Sequence, residues 1–195
     1  MVPYRSQEST VNAVGPTPDE RLRALRRTRQ YRDFGPQPVA PEDLDAIVDV
    51  ARWSGSSSNS QPWRFIVIRD PATIRAIHDL GVPQTHGLAT ATAAIAIVMP
   101  SDPKGAIHYA YDEGRVSERI LIAAGMLDLG AGISWILSAI RDQVGALLGL
   151  PADRMVRTMI QIGHPTAAAR KPKSAPGKAR LPREEVVFEE RWPSD

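Results

Sequence analysis

The chain has 195 residues, 43% of them hydrophobic and 24% charged, with no cysteine and a formal net charge of +2. This length supports one sizeable core rather than two independent domains, and the lack of cysteine excludes disulfides and thiolate chemistry. The near-neutral balance argues against a general nucleic-acid binder, although the basic residues fall in two clusters that suit a small anion. One holds Arg21, Arg23, Arg26, Arg27, Arg29 and Arg32; the other holds Arg170, Lys171, Lys173, Lys178, Arg180 and Arg183.

Residues 1–16 are small and polar with no apolar segment, which reads as a disordered leader rather than a signal peptide, and 17–195 reads as a single domain. No apolar run is long enough to span a bilayer, so a soluble, cytoplasmic protein is expected, without membrane or nucleic-acid partners. Thr17-Pro18-Asp19-Glu20 has the capping-box pattern of a helix start, and the helix is expected to reach Arg27 with Leu22 and Leu25 inward. Residues 28–34 alternate as extended chain. Pro41 opens a second helix with Leu44, Ile47, Val48 and Ala51 at helical spacing.

Next comes a dense polar run, Ser56-Ser57-Ser58-Asn59-Ser60-Gln61-Pro62, before the aromatic Trp63. It reads either as a hydrophilic loop or as one that cradles a ligand. Pro62 biases Gln61 toward extended backbone. Residues 65–69 form a short strand, Asp70-Pro71 caps a helix that stops at Gly81, and 82–90 reads as a mobile loop. Ala93–Pro100 is almost wholly apolar, as a central strand covered on both faces should be.

The longest helical pattern covers 108–129, with Ile120, Ala123, Ala124 and Leu127 inward. Gly130-Ala131-Gly132 ends it, 133–137 is extended, 138–148 is helical and 155–162 is a strand. The tail from 186 to 192 is apolar with no sequence neighbour left to pack on, so it should dock on its own core or a second subunit. The element order fits an α+β or α/β sandwich with helices on both faces of one sheet.

Several chemistries can be set aside. The four histidines lack metal-ligand spacing, no G-x-S-x-G elbow occurs, and Gly130-Ala131-Gly132 lacks the dinucleotide fingerprint. Asp112-Glu113 reads as compensation of a helix dipole rather than an acid–base pair. Arg29, Arg32, Lys178 and Arg180 would make a phosphate clamp if folding joined them. A chain with a clamp but no nucleophile, base or metal suggests that a cofactor brings the reactivity.

Read together, Thr28-Arg29-Gln30-Tyr31-Arg32-Asp33-Phe34, Ser56-x-x-Asn59-x-Gln61-Pro62-Trp63-x-Phe65, Gly130-x-Gly132-x-Ser134-Trp135-Ile136, Gly163-His164-Pro165, Lys178-x-Arg180 and Glu190-Arg191-Trp192 resemble the FMN-dependent nitroreductase family. The resemblance covers nearly the whole chain, and its Ser-x-x-Asn-x-Gln-Pro-Trp motif is the most specific part. It implies an α+β sandwich with a central mixed sheet, forming a homodimer whose C-terminal tails are exchanged and whose two FMN sites lie between subunits.

On that resemblance Arg29, Gln30, Arg32, Lys178 and Arg180 hold the FMN phosphate and ribityl chain. Ser56, Ser57, Ser58, Asn59 and Gln61 lie along the flavin from one subunit or the other, with Gly132, Ile133 and Ser134 near its ring. Gln30 and Thr28 depart from the family, which usually has a small hydroxyl and a basic residue there. Pocket walls are expected from 85–88 and around Tyr109 and Tyr111. The chemistry implied is hydride transfer from NADH or NADPH through flavin N5 to a nitroaromatic, quinone or similar small-molecule electron acceptor, in ping-pong order, with no side chain as covalent catalyst. Alternatives are a flavin destructase or reductive dehalogenase on the same fold, a non-catalytic FMN-binding module, and an unrelated anion-binding protein.

Overall fold

The computed structural model describes residues 15–81, 83–175 and 178–193; apart from its last two residues, the expected leader lies outside them. Thr17 caps α1 (Pro18–Arg21) through the reciprocal bonds of a capping box, with its Oγ1 accepting the Glu20 N–H at 3.3 Å and the Glu20 carboxylate accepting the Thr17 N–H at 2.8 Å. The Thr17 N–H, and then the Thr17 hydroxyl donating at 3.0 Å, hold the Glu20 carboxyl below its usual value. The expected single helix breaks at Leu22 into α1 and α2 (Arg23–Arg27). Leu22 and Leu25 are exposed, not inward: helical period selects a common face, but nothing in the described chain covers it.

α3 (Pro41–Arg52) buries Leu44, Ile47 and Ala51 on one stripe, as the spacing requires. β1 (Arg64–Ile68) follows the polar loop. Asp70 then caps α4 (Pro71–His78), accepting the Ala72 and Thr73 N–H groups; bonds from Thr73 and Ala72 keep its carboxyl below the usual aspartate value. The expected mobile loop is instead a 3-10 helix, Pro83–Ala89, pinned by buried Thr85, Gly87 and Leu88; Val82 lies outside the described residues.

β2 (Ala93–Pro100) is buried along nearly its whole length. α5 (Ala106–Met126) is the long helix; Ile120, Ala123 and Ala124 point inward, whereas Leu127 is exposed beyond its end. Gly130-Ala131-Gly132 does not end it. The chain reverses at Asp128, which has φ of +57°, and these glycines open β3 (Gly130–Trp135). A short 3-10 turn, Ser138–Ile140, leads into α6 (Arg141–Leu147), and β4 (Arg154–Gly163) completes the sheet.

The sheet order is β1-β2-β4-β3. Every pairing of the four strands is antiparallel, so the sheet is not the mixed one expected; the isolated Gln30–Ala131 bridge, which is parallel, lies outside the named strands. Alternation along β2 divides the core between two faces. Ala93, Ile95, Ile97 and Met99 pack with α3 and α5, while Ala94, Ala96 and Val98 pack with α4 and α6. This is the expected sandwich of helices on both faces of one sheet.

Two irregularities shape the site. Ile97 pairs with Thr158 but Val98 with Val156, which leaves Arg157 as an extra residue in β4 and re-aims its side chain. At the far edge, the extended segment bridges β3 at Gln30–Ala131, with Tyr31 N–H donating to Ala131 O at 2.8 Å, and then bridges Pro165 beyond β4 at Phe34. This approach requires glycine at 132, where a Cβ would fall 2.3 Å from Tyr31 O.

Candidate functional site

The alternation of residues 28–32 sends neighbouring side chains to different clefts. Gln30 and Arg32 line an open cleft of about 420 Å³ with Pro83, Gln84, Ile133 and Trp135. Arg29 and Tyr31 line another, of about 610 Å³, with Arg23, Arg27, Arg170 and an apolar floor including Leu121, Leu129 and Ala131. The two basic clusters therefore do converge, but through Arg23, Arg27 and Arg170 rather than through the expected clamp.

Arg29 is committed to the fold. Its Nε donates to Tyr31 Oη at 2.9 Å and its two terminal nitrogens to the carbonyls of Ala169 (3.0 Å), Lys171 (3.3 Å) and Arg170. Those bonds tie the extended segment to the turn after β4 and leave Arg29 little capacity for a ligand. Arg32 is exposed, and its Nη2 donates to Gln30 Oε1 at 3.3 Å. The same Gln30 oxygen accepts the Ile133 N–H at 3.1 Å.

Lys178 and Arg180 are exposed on the chain beyond residue 177; Arg180 Nη1 donates to the Ala179 carbonyl beside it. Neither lines the clefts of Arg29 or Arg32, so a single chain does not assemble the four-residue clamp. Gly132 and Ser134 lie inside the sheet. Ser134 has 0% exposure and donates to Gln161 Oε1, so its hydroxyl faces the core rather than a ligand. Ile133, between them, is half-buried and lines the cleft.

The polar loop presents its side chains. Ser57–Asn59 is a 3-10 turn, and Ser58, Asn59 and Gln61 have φ of +50°, +53° and +46°. Gln61 is thus left-handed rather than extended, held by its N–H donating to Ser56 Oγ at 2.8 Å. Ser57, Ser58, Asn59 and Gln61 are exposed and Ser56 half-buried, yet none lines the cleft of Gln30 and Arg32.

Sequence reasoning missed Trp135, Arg157 and the acidic pair. Asp112 and Glu113 do not compensate a dipole at the helix end; both are buried well inside α5. Asp112 accepts the Ser57 N–H. Glu113 Oε2 accepts Arg157 Nε at 2.8 Å as well as its Nη2, and the guanidinium stands 5.9 Å from the Trp135 ring centroid. Trp135, half-exposed at the cleft, is therefore backed by a partly buried ion pair. The pocket walls also shift: Pro83 and Gln84 line the cleft, whereas Thr85, Gly87 and Leu88 are buried. Among the described residues no cluster of three or more His, Asp or Glu could hold a metal ion, and no helix is long and apolar enough to cross a membrane.

A family model described as "Nitroreductase family" matches residues 25–93, a span that includes the first arginine segment and the polar loop. A putative NADH dehydrogenase/NAD(P)H nitroreductase of Archaeoglobus fulgidus is 30% identical over 160 residues, which cover 75% of this chain and 86% of that protein. The chain belongs to the nitroreductase family. The fold agrees. A putative NADH oxidase from Clostridium acetobutylicum superposes with a TM-score of 0.74 at 22% identity, over 86% of this chain and 99% of that one. An FMN-dependent nitroreductase from Clostridium difficile does so with a TM-score of 0.72 at 23% identity, over 85% and 97%. The nitroreductase-like sandwich and the oxidoreductase class expected from the motifs are thus borne out.

Proposed function

We propose that this nitroreductase-family chain is an FMN-dependent oxidoreductase, a single domain from residue 17 onward, that works as a cytoplasmic homodimer. It would use NADH or NADPH to reduce a nitroaromatic, a quinone or a similar acceptor. The observation that carries this reading is the cleft at the β3 edge, where the Gln30 amide, the exposed Arg32 guanidinium and the Trp135 ring meet. These groups fit a flavin: an aromatic face for a planar ring, an amide for its polar edge, and a cation for its negative charge.

Bound there, FMN would supply the hydride-accepting chemistry that side chains lack. The chain's part is to bind, orient and stabilise charge. Arg32 opposes negative charge, and Gln30, braced against Ile133 N–H, sets the polar rim. Lys178 and Arg180 stand exposed and able to meet an anion. The loop 56–61 holds hydroxyl and amide groups outward but apart from this cleft, so within one chain the site is incomplete. A second copy that brings its loop to the cleft would complete it. The exposed apolar residues of α5 and of the tail supply surface for that pairing, with the tail laid over the partner.

The test is the visible spectrum of the purified protein, recorded with added FMN and then after anaerobic addition of NADH or NADPH. Uptake of a yellow chromophore that bleaches on reduction and recovers its colour with a nitroaromatic or quinone is expected. A protein that binds no flavin, or binds it without reduction by either nucleotide, would overturn the reading.

A further inference from the structure

We propose that Asp112, together with Arg115 one turn along α5, is the positioning residue that holds the polar loop in its ligand-contacting shape; this rests on the flavin reading above. The Asp112 carboxylate, 2% exposed, accepts the Ser57 N–H with both oxygens, at 3.1 and 3.2 Å. Arg115 Nη1 stands 3.9 Å from the same carboxylate. Its guanidinium also lies against the start of the loop, where a Cβ on Gly55 would fall 2.3 Å from Nη2. The base of the loop is thus seated on two charged side chains from one face of α5.

The loop needs such a seat. Three of its non-glycine residues have positive φ, a conformation that persists only where the surroundings over-determine it. Most of its other bonds are internal: Asn59 N–H to Ser56 O, Ser60 N–H to Ser57 O, Gln61 N–H to Ser56 Oγ, and Gln61 Nε2 to Asn59 Oδ1. These shape the loop without placing it. A charged acceptor in a buried setting makes a stronger and more directional bond than a neutral one, and Ser57, Ser58 and Asn59 are left facing outward. Tyr111, adjacent to Asp112, is 73% exposed, so the seat and the surface available to a second copy share one turn of α5.

The test uses Asp112→Asn, which keeps the size and one acceptor but removes the charge, and Asp112→Ala. The readouts are the dissociation constant of FMN from the apoprotein, the melting temperature and the sedimentation coefficient. Loss of affinity by about tenfold is expected for Asp112→Ala, and less for Asp112→Asn. A purely structural role would lower the melting temperature without this loss. Because Asp112 acts through the loop, combining Asp112→Asn with Asn59→Ala should cost less than the two separate losses added together. A folded Asp112→Asn protein with wild-type FMN affinity, or losses that add fully, would overturn the inference. Wild-type protein that takes up no flavin would overturn the flavin reading itself, and this inference with it.

Discussion

Gln30 Oε1 accepts the backbone N–H of Ile133 at 3.1 Å, joining residues 103 positions apart. The same oxygen receives Arg32 Nη2, so one amide links the edge of β3 to the exposed guanidinium of the cleft. Gln30→Ala should cost little stability, about 0.5–1.5 kcal/mol, because water can reach half-buried Ile133. It should weaken FMN binding several-fold by releasing Arg32. Flavin titration of the variant checks this, and an unchanged affinity would remove Gln30 from the site.

Arg29 and Arg32 are neighbours in pattern and opposites in role. Arg29 spends its donors on Tyr31 and three carbonyls of the turn after β4, so Arg29→Ala should destabilise the fold by about 3 kcal/mol. Arg32→Ala should leave stability within about 0.5 kcal/mol and lower FMN affinity. Urea denaturation together with flavin titration separates the two. A stable Arg29→Ala protein with lost flavin affinity would reverse the assignment.

Glu113 and Arg157 form an ion pair at 3% and 14% side-chain exposure. The bulge in β4 puts Arg157 on the α5 side of the sheet, and only Oε2 of the carboxylate is bonded; Oε1 has no partner among the described residues. Glu113→Ala would leave a guanidinium uncompensated, a loss of about 3–5 kcal/mol, whereas Glu113→Gln keeps one acceptor and should lose less. Trp135 fluorescence should change in both, since the cation stands over its ring. The double change Glu113→Leu with Arg157→Met should be less destabilising than Glu113→Ala alone. If it is more so, the pair contributes net stability rather than mere compensation.

Local chemistry made some features legible in the sequence and long-range packing hid others. The capping box at Thr17, the Asp70 cap, the stripe of α3 and the apolar run of β2 each depend on residues within a turn or a strand of one another. The role of Gly130 and Gly132 is hidden from local pattern because what demands glycine is distant in sequence: the Pro165 ring and the Tyr31 side chain at 130, and the Tyr31 carbonyl at 132. The burial of Asp112 and Glu113 depends on Ser57 and Arg157, which no local pattern links to α5. In the arginine segment the alternation was legible, but not which face would be consumed by the carbonyls of residues 169–171. Gln30, Arg32 and Ile133 do meet in one cleft, while Ser134 turned to the core with its strand.

The second copy is the prediction that reaches furthest. Ile107 is 72% exposed and Tyr111 73% on α5, and Trp192 is 79% exposed on the tail. Phe188 and Trp192 contact each other edge to face with ring centroids 4.8 Å apart, which covers only part of either. An apolar surface of this kind favours association, and one chain holds the loop 56–61 apart from the cleft of Gln30 and Arg32. Sedimentation should therefore find a dimer. Tyr111→Glu should shift it toward monomer and release flavin together with the dissociation, because each site would lose the partner's loop. Truncation after Lys178 removes Arg180 and the apolar tail, and should weaken both association and flavin binding. If the truncated chain stays dimeric and yellow, the tail is not what joins the subunits, and the interface lies elsewhere on the chain.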